Sequence, residues 1–331
     1  MALAAPEMSR VAVLKGGRSL ERQVSLRSGA RVQDGLERLG HHVEAIDVGV
    51  DLVARLEESR PDAAFVALHG RGGEDGTVQE LLEILGIPYT GSGVLACTRA
   101  MDKVLTKQLL TAAGIPTPEF FAFNQTAFKE LGAADALPTI AERLRFPIVV
   151  KPAAGGSALG INFARAAEDV PQALVAGFSY DERVLLERHV AGRDLAVSIL
   201  DGPQGPQPLP VVEAIPQGDR FYDFEARYEF GRTEFRCPAE LSEEVTDRAQ
   251  EIACATYDLL ELSGFARVDL MLEEETGDPL VLEANAIPGL TETSLLPQAA
   301  DAAGIGLDAL VERILALALE PTGPSPAGAP P

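Results

Sequence analysis

The chain has 331 residues, 46% of them hydrophobic and 24% charged, an ordinary globular composition with length for two or three domains. Its formal net charge of −22 argues against a nucleic-acid or anionic-membrane partner, since both require a basic footprint, so any phosphate ligand must be held by a few local cations. Cys97, Cys237 and Cys254 stand far apart with no CxxC pair, which indicates free thiols rather than a disulfide framework or zinc site. With no signal-peptide core at the start and no uncharged apolar stretch of about 18 residues, the expected location is the cytoplasm.

In chain order, the apolar run Val11–Leu14 ends in Gly16-Gly17, an amphipathic segment continues to Leu39-Gly40, and Val43–Val48 reads as a second strand. A third run, Ala63–Leu68, opens into the loop His69-Gly70-Arg71-Gly72-Gly73-Glu74-Asp75-Gly76, and helical periodicity resumes at Val78, Leu81, Leu82 and Leu85. The order strand, loop, helix predicts a parallel α/β unit over residues 1–95. A helix over Ala100–Ala113 leads through Gly114 and Pro116-Thr117-Pro118 into a unit over 96–186, where Ile148–Lys151, the glycine loop Gly155–Gly160 and Ile161–Phe163 form a hairpin lid. Residues 187–319 mix strands (Leu195–Leu200, Ala266–Leu272, Pro279–Glu283) with helices, an α+β pattern. The Pro-, Gly- and Ala-rich tail, 320–331, lacks the apolar groups that offset ordering entropy and is expected to be disordered.

Three glycine loops could each cradle phosphate. Lys15-Gly16-Gly17-Arg18 lacks the third glycine of a dinucleotide fingerprint, and no loop has Gly-Lys followed by Ser or Thr, so Rossmann and P-loop readings fail. Gly155–Gly160 remains, as a flap whose backbone N–H groups can wrap phosphate oxygens. Alone it would read as a surface turn. Lys151, ending an apolar strand at the mouth of that loop, supplies the cation that favours a phosphate contact.

The strongest signal is Arg267–Leu272, a polar turn, and Leu280–Asn285. Centring the turn on Thr276 places Asp269 opposite Glu283 and Arg267 opposite Asn285. Those four then share one face, while Val268, Leu270, Leu282 and Ala284 face the core. Opposed carboxylates repel unless a cation lies between them, and an Asp, Glu, Asn set offers the hard oxygen donors that suit Mg²⁺ on nucleotide phosphates. A solvated polar face is the alternative for any one of these residues. The four together, followed by Ile287-Pro288-Gly289-Leu290-Thr291, favour ion binding.

These residues resemble the ATP-grasp enzymes and, within them, the D-alanine–D-alanine ligases. The similarity spans about residues 11–319 and is carried by Gly16–Ser19 through Glu21 and Val24-Ser25, His69-Gly70 to Gly76, Ala100–Lys103, Val150–Pro152 with Gly156-Ser157, Phe221-Tyr222-Asp223 through Tyr228, Arg267–Asp269, and Glu283–Asn285 to Pro288-Gly289. It implies an ATP-grasp fold: an N-terminal parallel α/β domain followed by two α+β subdomains that sandwich the nucleotide. It further implies ATP-dependent joining of two D-alanines for peptidoglycan, in a homodimer, with ATP and two Mg²⁺ ions for which Mn²⁺ can substitute.

By the same resemblance, Lys103 and Lys151 look like nucleotide-phosphate lysines. Glu187, Arg188, His189 and Val190 look like the hinge holding adenine, and Asp194 like the ribose contact. Asp269, Glu283 and Asn285 look like the metal ligands. Glu21 is similar to the residue holding the first ammonium, with His69 nearby, and Ser157 and Tyr228 to its partners in closing the loops. Arg267, Gly289, Ser294 and Leu295 match positions around the second amino acid and the oxyanion. The chain departs from the family at Asp194 (usually Glu), Arg227 (usually Lys), Ala158 (commonly Ser) and Thr293 (often His). Within the family a tyrosine at 228 accompanies dipeptide formation. A D-lactate-accepting depsipeptide ligase, an L-amino-acid ligase and a non-catalytic nucleotide-binding regulator are the alternatives.

Overall fold

The computed structural model describes residues 8–217 and 232–320. Phe221-Tyr222-Asp223, Arg227, Tyr228 and the tail 321–331 lie outside the described residues.

Strands β1 (Arg10–Lys15), β2 (His42–Asp47) and β3 (Ala63–Val66) form a parallel sheet in the order β2-β1-β3. The helix Arg22–Arg38 lies between β1 and β2 and buries Val24, Ser25, Ser28, Val32 and Leu36, a stripe at helical spacing that includes two hydroxyls. Next come β4 (Phe120–Asn124), β5 (Ile148–Pro152), β6 (Asn162–Ala164) and β7 (Arg183–Arg188), an antiparallel sheet in the order β4-β7-β5-β6. Its β5–β6 pair is the hairpin carrying the glycine lid, and β7 runs two residues past the boundary expected at 186. The remaining strands are β8 (Gly192–Gly202), β9 (Gly205–Pro208), β10 (Val212–Pro216), β11 (Thr233–Arg236), β12 (Phe265–Glu273) and β13 (Pro279–Asn285). They form an antiparallel sheet in the order β11-β10-β8-β12-β13, with β9 on β8. Among the described residues no helix is long and apolar enough to cross a membrane.

Two main hydrophobic cores hold these layers. One is continuous from the parallel sheet (Val13, Phe65) to the large antiparallel sheet (Val197, Phe265, Val268) through the helices that carry Leu296 and Val311. The other, built from Phe123, Leu144, Val150, Leu174 and Val184, belongs to the central sheet alone. The first and third units of the sequence reading therefore share a core.

Two local expectations are corrected. The single helix over Ala100–Ala113 is two helices, Val94–Met101 and Lys103–Ala113. Asp102 leaves helical geometry (φ −85°, ψ 98°) to cap the second, its Oδ1 accepting from the Leu105 amide at 3.0 Å. The carboxylate hairpin has the expected pairs, Arg267 with Asn285 and Asp269 with Glu283, but a bulge follows and Leu270 pairs with Val281. The extra residue shifts the alternation. Val281, not Leu282, enters the core, and Leu282 joins Val190, Met271 and Leu280.

Candidate active site

Two cavities meet at the polar face of the β12–β13 hairpin. The larger, about 800 Å³, lies between the central and large sheets; Lys151, Ile161, Phe163, Glu187–Val190, Asp194, Met271 and Leu282 line it, with Asp269 and Glu283 at one end. The smaller, about 40 Å³, is lined by Glu21, His69, Glu74, Gly156, Ser157, Arg267, Asn285, Gly289, Thr293, Ser294 and Leu295. Leu295 borders both, and the hairpin turns its two carboxylates to one and Arg267 and Asn285 to the other. All the candidate residues within the described segments line one of these cavities, except Lys103, which reaches Glu283 from the side.

Around the carboxylates, Asn285 Nδ2 donates to Asp269 Oδ2 at 3.2 Å, and Arg267 donates from Nε and Nη2 to the two Asp269 oxygens at 2.6 and 2.7 Å. Lys103 Nζ lies 3.1 Å from Glu283 Oε2 and donates to the Gly155 carbonyl at 2.5 Å, tying the base of the lid to the hairpin. The Asp102 kink sets this reach, since Lys103 begins its helix with its amide on the Ala153 carbonyl at 2.8 Å. The two carboxylates and the amide present hard oxygen donors on one face with cations drawn against both acids, so the residues fit a divalent metal.

The glycine lid lies closed over Glu21. Ser157 Oγ donates to Glu21 Oε1, with Ser157 and Ala158 held at positive φ of 53° and 58°. Such backbone costs about 1–2 kcal/mol per non-glycine residue and persists where its surroundings fix it. Gly156 allows the approach, because a Cβ there would lie 2.9 Å from the Glu21 carboxylate oxygens. Burial pushes the Glu21 carboxyl above its usual range and Glu74 adds to this, against the Ser157 hydrogen bond, His69 and Lys103.

His69 Nδ1 stands 3.0 Å from Glu74 Oε1 and its Nε2 3.2 Å from Ser28 Oγ, and the Leu290 amide donates to that oxygen at 3.1 Å. Ser294 Oγ accepts from the Thr291 amide at 3.0 Å, and a Cβ on Gly289 would come within 2.7 Å of it, so only glycine brings its backbone this close. Thr293 lines the same cavity, 3.4 Å from Thr291 Oγ1.

At the other end, Glu187 borders the large cavity but its carboxylate turns to two lysines, taking a hydrogen bond from Lys151 Nζ at 2.5 Å and an ion pair with Lys107 at 2.6 Å. Sequence reading gave Lys107, Ser28 and Leu282 no role at the site, and Glu74 only a place in a motif. Ser28 was legible in part, seven positions after Glu21 and so near it on one helix face. The Lys107 pairing depends on tertiary contacts that no local pattern marks.

The chain as a whole matches known sequences and structures. Residues 109–316 match the D-ala D-ala ligase C-terminus and residues 51–92 the D-ala D-ala ligase N-terminus. The D-alanine–D-alanine ligase of Syntrophotalea carbinolica is 46% identical over 94% of this chain and 96% of its own length. The chain belongs to the D-alanine–D-alanine ligase family. That of Carboxydothermus hydrogenoformans is 42% identical over 94% and 98%. Among solved structures, the D-alanine–D-alanine ligase of Bacillus anthracis superposes with a TM-score of 0.81 at 34% identity, covering 95% of this chain and 98% of that one. The same enzyme complexed with ATP gives 0.79 at 34% identity, covering 94% and 97%. The ATP-grasp architecture and ligase class expected from the motifs are those of this family.

Proposed function

We propose that this chain is a cytoplasmic, ATP-dependent ligase that joins two D-alanines into D-alanyl-D-alanine through an acyl phosphate, for peptidoglycan synthesis, and that it works as a homodimer. One observation carries the site assignment: a single hairpin face separates a nucleotide-sized cavity from a much smaller polar one and offers acids to the first and Arg267 and Asn285 to the second.

In this reading Lys103, Lys151 and the lid amides bind the triphosphate, Glu187–Val190 hold the base, and Asp194 takes the ribose. Glu21, supported by His69, holds the first ammonium so that its carboxylate faces the γ-phosphoryl group. Two Mg²⁺ ions on Asp269, Glu283 and Asn285, replaceable by Mn²⁺, would supply charge neutralisation for phosphoryl transfer. The second amine, once deprotonated, attacks the acyl carbon. Arg267 and the Gly289 amide stabilise the oxyanion, Ser294 and Leu295 shape the second subsite, and phosphate leaves. Acyl phosphates hydrolyse, so the closed lid, with Ser157 on Glu21, keeps water out, and Tyr228 is the further residue this reading assigns to that task.

Phosphate release measured with D-alanine, L-alanine, and D-alanine plus D-lactate tests this. The expected result is release with D-alanine alone and a dipeptide product. Equal release with L-alanine, or a predominant depsipeptide with the mixture, would overturn the substrate assignment. A non-catalytic regulator has no use for the retained Asp, Glu, Asn set.

A further inference from the structure

Lys107 is fully buried, an extreme position for a lysine, and the chemistry above does not use it. Its Nζ donates to Thr117 Oγ1 at 2.5 Å, lies 2.6 Å from Glu187 Oε2 and sits 5.5 Å over the Phe120 ring. Thr117 passes the contact on by donating to the Val281 carbonyl at 2.7 Å, in the strand that carries Glu283. The other Glu187 oxygen holds Lys151. One buried carboxylate thus stands between two lysines, one exposed to the nucleotide cavity and one sealed behind it.

Charge makes this arrangement consequential. Lys151 paired with Glu187 alone sums to zero and offers a polyphosphate little attraction. Lys107 restores a net charge of plus one while Glu187 fixes where Lys151 points. Resting on the reading of Lys151 as a phosphate contact, we propose that Lys107 is a positioning residue that, through Glu187, sets the charge and direction of Lys151 and so the affinity for the nucleotide's phosphates.

Glu187 supports the balance: burial pushes its carboxyl up, but Lys107 and Lys151 outweigh this and hold it below the usual range. Burial in turn lowers the Lys107 ammonium to about 8 against the pull of Glu187.

The test compares dissociation constants of Mg²⁺ADP and of adenosine, by calorimetry, for the parent, Lys107→Met, and Lys107→Met with Glu187→Gln. Lys107→Met should weaken ADP by about thirtyfold, as removing one member of a buried charge set does, and leave adenosine within about twofold. The double variant, again at net plus one through Lys151 but without the carboxylate beside the base, should return the ratio of ADP to adenosine affinity to within about threefold of the parent's. Equal losses for ADP and adenosine, or a double variant no better than the single, would overturn the proposal in favour of a packing role. Should Lys107→Met fail to fold, the double variant decides alone, and a ratio of ADP to adenosine affinity more than about tenfold below the parent's rejects the idea. A parent that binds no nucleotide would refute the cavity assignment itself, a failure separate from that of Lys107.

Discussion

Glu21 shows how single groups here trade stability for chemistry. Its folded carboxyl titrates above the usual carboxylate range because burial and Glu74 disfavour the anion. A carboxyl raised in the folded state binds more protons than in the unfolded chain, so its contribution is fully present below about pH 4.5 and is lost as pH rises through the folded value. At neutral pH the ionised group therefore costs stability until an ammonium pairs with it. Glu21→Gln should raise the melting temperature at pH 7 but not at pH 4. It should also raise KM for the first D-alanine roughly thirtyfold or more, since a charge-assisted bond contributes about 2 kcal/mol. An unchanged KM would remove Glu21 from the substrate site. Glu283→Gln isolates the metal set: the fold and β12–β13 pairing should survive, with turnover at saturating Mg²⁺ at least about a hundredfold lower. Near-parental activity would refute the ligand assignment.

The hairpin and lid mark where the sequence could be read and where it could not. Period-2 alternation and the polar turn placed Arg267 opposite Asn285 and Asp269 opposite Glu283, because antiparallel register follows from turn position. The bulge after Asp269 went unseen, since an inserted residue leaves no trace in an apolar run such as Leu280-Val281-Leu282, and so Leu282 was assigned to the core. Asp102 was hidden likewise inside an unbroken helical period, although an Asp followed by strong helix formers is an N-cap signal. The lid was legible from its glycines, but not that Ser157 and Ala158 take positive φ. That strain predicts the lid's response. Ser157→Ala removes the bond to Glu21 that opposes the strain, so amide exchange over 155–160 should quicken in the free protein and slow less when nucleotide and Mg²⁺ are added. Identical exchange in parent and variant would mean that Ser157 does not latch the lid.

Over the whole chain, the shared core couples the first and third units while the central sheet keeps its own. The sequence divides into three units without showing which of them share a core, since apolar periodicity identifies buried faces without saying which faces meet. The parallel sheet and the large sheet bury Val13, Phe65, Val197, Phe265 and Val268 in one continuous cluster, so neither can open without exposing the other. Phe123, Leu144, Val150 and Val184 expose only the central core on opening. Native-state hydrogen exchange in low urea should then show β4–β7 opening as one unit at lower free energy, and β1, β3, β8 and β12 together at the global value. Because the large cavity lies between the central and large sheets, nucleotide should stabilise the central unit by linkage, about 2.7 kcal/mol at a hundred times Kd, and narrow the gap between the two classes of amide. Should β1 and β3 instead open separately from β8 and β12, the continuous core would not be a cooperative unit.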